Sequence, residues 1–335
     1  MRWAALGRGR LYFVLLALPA VLYVIAWRIA PALYTIWLSF TQYNIIYDPA
    51  PRWNHLANYH RLLHDSGLLH ALKLSAVFAL VATGLELVIG VGAAAFFDSD
   101  PPGRNLLLGF FLLPMVMAPV VVGTAWSALF DPTVGPVMYL FEVLKVPEFQ
   151  WLASPLTAFL GLIVADAWEW TPLAALLLFA AMQAIPREQY EAARVDGASS
   201  FQLFWRVILP QITSMLVVAG GLRLMDAFLE LDKVFVMTGG GPGTSTQLVS
   251  YYVYRQAFQN YELGYASTVI TGLLALLTAV FAFYLQRYSR ILRSAASCGQ
   301  SPGRSSHDKT MRGTEPRPRS HGTGACPGAR SSARC

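Results

Sequence analysis

The sequence is poor in charged residues and has little cysteine. Asp, Glu, Lys and Arg make up 13% of the 335 residues, whereas 55% are hydrophobic, and the mean hydropathy is +0.46. Because soluble domains carry about 25% charged residues, this composition excludes an ordinary soluble protein. All three cysteines, Cys298, Cys326 and Cys335, lie near the C-terminus. The body of the chain therefore has neither a disulfide framework nor a cysteine spacing typical of a metal site.

Catalytic motifs are also lacking. Residues 237–246, MTGGGPGTST, superficially resemble a phosphate-binding loop, but they lack the lysine and the preceding strand that such a loop needs. No Walker motif occurs in the sequence, so we do not expect an enzyme and assign no catalytic residue. His55, His60, His64 and His70 are scattered through a polar stretch without cysteine, so we expect neither a metal site nor a cofactor.

The sequence does contain six apolar segments that are long enough to cross a bilayer. They are predicted at residues 11–40, 71–97, 106–130, 156–182, 212–237 and 264–286. Pro114 and Pro119 predict a bend in the third span, and Gly84, Gly90 and Gly92 predict close helix contacts in the second. These segments predict an all-α polytopic membrane protein with six transmembrane helices.

Basic residues are unevenly divided between the two sides of such a six-span arrangement. One side collects Arg2, Arg8, Arg10, Arg104, Arg187, Arg194, Arg206, Arg287, Arg290 and Arg293, and the other holds Arg52, Arg61, Lys73, Lys145 and Arg255. The positive-inside rule therefore places both termini and the 186–210 loop in the cytoplasm. We expect a multi-pass protein of a bacterial or archaeal cell (inner) membrane, whose net charge of +6 reflects orientation in lipid and not nucleic-acid binding.

The chain is predicted to divide into three parts. Residues 1–10 are a cytoplasmic N-terminus; their arginines resemble the start of a signal peptide, but the apolar run that follows is too long for one. Residues 11–293 form the six-span domain. Residues 294–335 are rich in Ser, Arg, Gly and Pro with almost no aliphatic residue, so we expect a disordered tail and assign it no function.

The polar loop at residues 186–210 is predicted to form two short helices joined at a glycine. Pro186 suits the first turn of a helix, and Ala192 and Ala193 are strong helix formers. Gly197 is the natural left-handed stop for that helix. Ser199 or Ser200 can cap the second helix, and Pro210 is predicted to end it and to turn the chain.

This loop resembles the EAA loop of ABC-importer permeases. The shared pattern is Glu191-Ala-Ala-x-x-Asp196-Gly197-Ala-x5-Phe-x-x-Val-x-Leu209-Pro210, with valine at position 207 where isoleucine is usual. The resemblance implies that the loop is a coupling helix that sits in a cleft of a separate ATPase subunit. It assigns the contact surface to Glu191, Ala192, Ala193, Asp196, Gly197, Leu209 and Pro210, with Glu191 as the polar contact.

Further segments resemble the sugar-type permeases of the binding-protein-dependent family. They are residues 223–228, 235–246, 254–258 and 263–267, and the resemblance extends over about residues 11–293. It implies the type I ABC-importer permease architecture with a cytoplasmic coupling helix. It also implies a cytoplasmic ATPase dimer, a second homologous permease subunit, an extracytoplasmic solute-binding protein, a sugar, oligosaccharide or polyol as solute, and membrane lipid around the spans.

Charged residues in the fifth span mark a candidate site, because ionisable groups are costly inside a bilayer. Arg223, Asp226 and Glu230 are spaced three and four apart, so on one helix they would share a face. They are predicted to line a water-filled path for a hydroxyl-rich solute. The alternative is a ladder of salt bridges that fixes the fifth span to its neighbours, and the two roles are compatible.

Asp166, Trp168 and Glu169 of the fourth span extend this candidate path. Carboxylates accept hydrogen bonds from sugar hydroxyls, and indole rings stack on the apolar faces of pyranose rings. The alternative is burial against partners, such as an ion pair between Asp166 and Arg223. Glu86 in the second span is a lone acid and is interpreted as structural.

Two other functional classes fit parts of the sequence. An ion-coupled secondary transporter would use the intramembrane acids for proton coupling and would need no ATPase. A membrane enzyme, such as a lipid-linked sugar transferase, would need a nucleotide or metal motif, which the sequence lacks.

Overall fold

The computed structural model describes residues 16–133, 135–143 and 150–299. The helices are α1 (Leu16–Leu38), α2 (Ala57–His64), α3 (Ser66–Asp98), α4 (Arg104–Val116), α5 (Pro119–Leu129), α6 (Pro136–Val143), α7 (Pro155–Gln183), α8 (Arg187–Val195), α9 (Ser200–Phe228), α10 (Val249–Tyr254) and α11 (Leu263–Gly299). Strands β1 (Thr41–Gln42) and β2 (Arg52–Trp53) pair antiparallel. The chain divides into two units, Met1–Leu285 and Gln286–Cys335, and every contact given below lies within the first.

Five of these helices, α1, α3, α7, α9 and the Leu263–Tyr284 part of α11, are long and apolar enough to cross a membrane. Helices α4 and α5, of 13 and 11 residues, are each too short to cross a membrane and qualify as a sixth span only when taken together. They meet at an angle of 97°. The break falls at Met117 and Ala118, which are extended, since proline disfavours helical backbone in the residue before it. The bend predicted in this span is thus found immediately before Pro119.

The predicted boundaries of the fifth span are wrong at both ends. Pro210 does not end the second helix of the 186–210 loop. That helix is the first part of α9, which passes through a widened turn at Phe204–Ile208 and continues beyond Pro210. In that turn the N–H of Leu209 reaches back to the carbonyl of Phe204. Such a π-turn relieves the clash between the proline ring and the preceding turn. A turn of the same kind, Ile25–Ile29, precedes Pro31 in α1.

At its other end α9 stops at Phe228, nine residues before the predicted limit at 237. Glu230 therefore lies beyond the helix, and the predicted face shared by Arg223, Asp226 and Glu230 is wrong for Glu230. The physical reason is a competing cap. The Glu230 carboxylate accepts the backbone N–H of Lys233 at 3.0 Å, which starts a separate turn that continues through Val234–Thr238.

The spans pack around α3 and α7. Gly90 of α3 allows their close approach, because a Cβ at this position would lie 3.1 Å from the Cβ of Ala174. The predicted contact is confirmed there, whereas Gly84 and Gly92 have no atom of the described chain within 4 Å of that position. The close helix contacts predicted at Gly84 and Gly92 are therefore not formed within the described chain. The core on one side of these helices includes Phe78 and Leu162, both fully buried.

Helix α11 extends further than predicted. It continues to Gly299, because residues 287–298 include arginine, leucine and alanine, which favour helix. Residues 294–299, predicted as part of a disordered tail, are therefore helical. Residues 1–10, the start of the first predicted span and residues 300–335 lie outside the described residues, so their predicted roles stay predictions.

Asp65 fixes the N-terminal end of α3 to α10 and α11. One carboxylate oxygen accepts the N–H of Leu68 at 3.0 Å and caps α3. The other accepts hydrogen bonds from the hydroxyls of Tyr252 and Tyr265. Burial opposes ionisation of this group, but the hydrogen bonds from the two tyrosines and from the backbone outweigh it and lower the pKa of Asp65. The carboxylate is thus held in its charged form.

We expect Asp65→Asn to lower the free energy of unfolding by roughly 1–2 kcal/mol, because an amide keeps the cap but cannot accept from both tyrosines. Since the folded-state pKa of Asp65 is lowered, the stabilisation is complete above the pKa of an unfolded aspartate. It is lost as the pH falls through the folded-state value. Thermal unfolding of the two proteins in detergent at pH 7 and pH 3 measures this. Equal unfolding temperatures at pH 7 would contradict the assignment.

Candidate functional site

The glycine turn of the 186–210 loop is a Schellman motif. The N–H of Ala198 donates to the carbonyl of Ala193 at 3.0 Å, and the N–H of Gly197 donates to the carbonyl of Arg194 at 3.0 Å. This pattern requires a left-handed residue after the helix, and Gly197 has φ +79°. The predicted left-handed stop is confirmed, and α8 ends in a turn of defined geometry.

The helix that follows is capped reciprocally. The hydroxyl of Ser199 accepts the N–H of Gln202 at 3.3 Å, and the side chain of Gln202 accepts the N–H of Ser199 at 2.9 Å. Of the two serines predicted as the cap, Ser199 is the one used. Because hydrogen bonds define the backbone on both sides of Gly197, the 186–210 loop is an elbow of regular geometry and not an irregular connection.

Apolar packing and hydrogen bonds fasten this elbow to one end of the bundle. Leu203, Ile208 and Leu209 pack with Met182 and Leu178 in a buried cluster, and α3 contributes Ala94. Three hydrogen bonds between side chains also hold the elbow in a defined orientation. Tyr190 Oη donates to Asp98 Oδ2 at 3.3 Å, Gln183 Nε2 donates to Asp98 Oδ1 at 2.7 Å, and Gln211 Nε2 donates to Gln189 Oε1 at 2.7 Å.

The hydroxyl of Tyr190 stays protonated under all physiological conditions. Burial and the neighbouring Asp98 raise the pKa of Tyr190 to about 12. Tyr190 therefore keeps its proton, which it donates to Asp98 at 3.3 Å with the carbonyl of Met182 as a second acceptor at 3.5 Å.

The outward surface of the elbow carries most of the predicted coupling residues. Glu191, Ala192, Asp196, Gly197 and Pro210 are exposed, whereas Ala193 and Leu209 are half-buried against the bundle. No residue of α8 is fully buried. Large apolar side chains also point outward, namely Val195, which is 87% exposed, Phe201 and Trp205. Sequence reasoning assigned these three no contact role, although their position beside Gly197 and Ser199 was a signal. A cleft of about 620 Å³ beside the Asp98 contacts is lined by residues of the elbow, of the end of α7 and of the end of α3.

The candidate path residues converge on a buried ionic network. Arg223 is its first centre. The guanidinium lies 2.7 and 2.8 Å from the two oxygens of Glu86, 3.0 Å from Asp166 Oδ2 and 2.5 Å from Asp226 Oδ2. Its Cζ also lies 4.8 Å from the ring centre of Trp170. Glu86 is therefore not a lone acid, and the predicted ion pair between Asp166 and Arg223 is confirmed.

Lys233 is the second centre of the network. Its ammonium lies 2.6 Å from Glu169 Oε2, and 3.0 Å from both Asp166 Oδ1 and Glu230 Oε2. Asp166 thus bridges the two basic residues. Sequence reasoning missed the part played by Lys233. The available signal was the positive charge of Lys233, because apolar segments that contain several acidic residues need buried cations to neutralise them.

This network fixes three helices to one another. Glu86 belongs to α3, Asp166 and Glu169 to α7, and Arg223 to α9, and all four side chains are buried with Lys233. Charges this deep are stable only in pairs with good geometry. Two candidates reach the surface. The carboxylate side chain of Asp226 is 63% exposed, and Trp168 is 43% exposed and packs edge-on against Trp126.

Residues 86–290 match the family described as "Binding-protein-dependent transport system inner membrane component". The chain belongs to this family. The match spans the network and the whole elbow, and it confirms the predicted all-α polytopic permease and its place in a multi-pass membrane protein. As a permease component of ABC importers, the chain is not itself a catalytic subunit. The reading as an ion-coupled secondary transporter is not favoured.

Two relatives cover most of the permease. It is 31% identical over 279 residues to the trehalose/maltose transport system permease protein MalF of Thermococcus litoralis, covering 82% of this chain and 94% of the relative. It is 32% identical over 300 residues to the trehalose transport system permease protein SugA of Mycobacterium tuberculosis, covering 89% and 94%. Both relatives thus match along nearly their whole length.

The fold has a counterpart among solved structures. A chain of a bacterial ABC transporter involved in the import of the acidic polysaccharide alginate superposes with a TM-score of 0.72. It is 18% identical, and the match covers 86% of this permease and 98% of that chain. At this identity the similarity is evidence for the fold alone.

Proposed function

We propose that this permease is the membrane-spanning subunit of an ATP-driven importer that moves a sugar, oligosaccharide or polyol into the cytoplasm. A separate cytoplasmic ATPase dimer drives it through the 186–210 elbow, a second homologous permease completes the path, and an extracytoplasmic solute-binding protein delivers the solute. The observation that carries this proposal is the elbow itself. It has a hydrogen-bonded glycine turn of regular geometry, it is fastened to the bundle, and it presents an apolar and charged surface that nothing in the described chain covers.

The side of the membrane follows from charge. The end of the bundle that carries the elbow holds Arg104, Arg187, Arg194 and Arg206, whereas Arg52 and Arg61 belong to the opposite end. By the positive-inside rule this difference supports an elbow on the cytoplasmic side. An ATPase in that compartment reaches α8 without crossing lipid.

The surface of the elbow suits an obligate contact with protein. Val195, Phe201 and Trp205 provide exposed apolar area, and aromatic residues of this kind carry much of the energy of protein interfaces. Glu191 offers a carboxylate beside them for a polar contact. Ala192 and Gly197 have small side chains or none, so that a cleft of the ATPase can approach the backbone closely.

ATP acts by differential binding. Closure of the ATPase dimer moves the elbow, and the spans rock between inward-open and outward-open states. ATP shifts the equilibrium between the two states by the difference in its binding free energy to them, as conformational coupling requires.

The solute class rests on the relatives and on the exposed candidates. The names of three relatives specify trehalose or maltose, trehalose, and sulfoquinovosyl glycerol, all of them rich in hydroxyls. Asp226 presents a carboxylate oriented by Arg223 at 2.5 Å, which can accept hydrogen bonds from hydroxyls. The exposed ring of Trp168 can stack on a sugar. We assign Asp166, Glu169, Arg223 and Glu230 to positioning the helices that line the path.

Asp226→Ala is expected to raise the solute concentration for half-maximal uptake at least tenfold, because one charge-assisted hydrogen bond is worth roughly 1.5–3 kcal/mol. The maximal rate per folded permease should change little. Initial rates of labelled trehalose or maltose uptake across a concentration series measure both. Asp232→Ala, which removes another exposed carboxylate nearby, is the matched control. An equal shift in that variant would contradict a solute contact at Asp226.

The proposal as a whole is tested by reconstitution. The permease is purified from its own cells with whatever ATPase and second permease accompany it, and uptake of labelled trehalose and maltose into proteoliposomes is measured with solute receptor. Uptake that needs ATP inside the vesicle and persists with a protonophore supports the importer. Uptake that is abolished by the protonophore and indifferent to ATP would overturn it.

A further inference from the structure

Helix α3 does not adjoin the elbow in sequence, but the carboxylate of Asp98 connects the two by a hydrogen bond. The elbow is continuous in sequence with α7 and α9, so any displacement of α8 passes to those two helices through the backbone. Helix α3 ends at Asp98. Tyr190 Oη donates to Asp98 Oδ2 at 3.3 Å, and this hydrogen bond joins α8 directly to α3 in the described part of the chain.

Asp98 also holds the end of α7. Gln183 Nε2 donates to Asp98 Oδ1 at 2.7 Å. Both carboxylate oxygens thus accept hydrogen bonds, one from Tyr190 of the elbow and one from the last residue of α7. The remaining contacts of α3 with this region are apolar, through Ala94 and its neighbours. Apolar packing is non-directional and lets helices slide, whereas hydrogen bonds require a defined distance and angle. The Glu86–Arg223 pair fixes α3 to α9 further along the helix, but at the elbow itself the local register of the end of α3 depends on Asp98.

Helix α3 in turn reaches both the ionic network and the far end of the bundle. Glu86 lies three to four turns, roughly 18 Å, from Asp98 along the helix, and it pairs with Arg223 at 2.7 Å. At the other end of α3, Asp65 accepts hydrogen bonds from Tyr252 and Tyr265. A displacement at Asp98 is thus carried along one continuous helix to the buried network and to the opposite end of the bundle.

We propose that Asp98 is a positioning residue that couples movement of the elbow to α3, and that Tyr190 is its partner in this task. The inference rests on the proposed function, since it assigns a transmission role inside that importer. Without the Asp98 contact, the ATPase still moves the elbow with α7 and α9, but the end of α3 no longer follows the elbow in register, and the movement reaches α3 only through the distant Glu86–Arg223 pair. ATP hydrolysis then continues with less solute moved for each ATP.

The test compares two carboxylates that lie two residues apart. Asp98→Ala removes both hydrogen bonds and suits a helical backbone. Asp100→Gly removes an exposed carboxylate that pairs with Arg104 at 3.0 Å, and glycine suits the positive φ of 55° at that position. Tyr190→Phe removes the hydroxyl but keeps the ring in its packing. The measured quantity is solute taken up per ATP hydrolysed, in proteoliposomes that contain the complete transporter, its receptor and labelled trehalose or maltose.

We expect Asp98→Ala to lower uptake per ATP at least fivefold, with hydrolysis within twofold of wild type, and Asp100→Gly to leave the ratio unchanged. Tyr190→Phe should show a loss in the same direction, and combining it with Asp98→Ala should add nothing, because both act through one contact. A purely structural role would lower the amount of folded protein and leave this ratio alone. If the Asp98→Ala protein does not accumulate, the uptake per ATP of Tyr190→Phe alone tests the proposal.

Wild-type values of uptake per ATP in Tyr190→Phe and Asp98→Ala would overturn the inference, as would losses that multiply in the double variant. Either result leaves the proposed function intact, since the wild-type protein would still show ATP-driven uptake. Wild-type uptake without any need for ATP would instead overturn the proposed function and this inference with it.

Discussion

Arg223→Met is expected to destabilise the permease by about 3–5 kcal/mol, which is the usual cost of removing one partner from a buried ion pair. Arg223 is the only basic group that the described residues place against Glu86, which it contacts at 2.7 and 2.8 Å. The substitution therefore strands a carboxylate that has no exposed surface. Asp166 is affected less, because Lys233 remains 3.0 Å from its other oxygen. The expected result is a large fall in unfolding temperature in detergent and little accumulation in membranes.

A second substitution separates the stranded charge from a simple loss of packing. Adding Glu86→Met to Arg223→Met removes both partners, and replacing a buried ion pair by apolar groups is often close to neutral. The double variant should recover most of the lost stability. Arg104→Met is the matched surface control, because Arg104 pairs with an Asp100 side chain that is largely exposed, and such pairs contribute less than about 1 kcal/mol. If the double variant were as unstable as Arg223→Met, the stranded carboxylate could not be the cause.

Gly197→Asp is expected to reduce ATP-driven uptake at least a hundredfold while leaving the protein folded and inserted. Gly197 has φ +79°, and a Cβ at this position would have no atom of the described chain within 4 Å. The internal cost is thus about 1–2 kcal/mol of backbone strain and no clash. The new carboxylate projects from the turn at the centre of the proposed ATPase contact. Adding an unpaired charge to a closely packed interface costs several kcal/mol, which is enough to prevent docking.

Gly103→Asp is the control for this variant. Gly103 has φ +76° and also has nothing within 4 Å, so the strain and the added charge are the same, but it lies in the turn before α4 and not on the elbow. It should keep near-normal uptake. Co-purification of the ATPase with each variant and uptake by reconstituted transporter measure the two effects. Normal uptake by Gly197→Asp would remove the elbow as the site of coupling.

The local features of the elbow could be predicted because they depend on neighbours in sequence. A left-handed Gly197 and a cap at Ser199 follow from residues no more than five positions away. The role of Pro210 was predicted wrongly because a helix can tolerate proline when a widened turn precedes it, here at Phe204–Ile208. The choice between stopping and widening depends on packing, since Ile208 and Ile212 are buried on both sides of Pro210.

Hydropathy, charge bias and a local motif can all be read along the chain, so the sequence alone indicated a membrane protein with about six apolar spans and predicted that the 186–210 loop contacts an ATPase. Three contacts became visible only in the folded chain: Glu86 pairs with Arg223, 137 positions away, Lys233 completes the network, and Asp98 joins α3 to Tyr190. The physical reason is that ion pairs and hydrogen bonds act over a few ångströms in space, and the distance between two residues along the chain does not specify which of them the packing of helices will bring together.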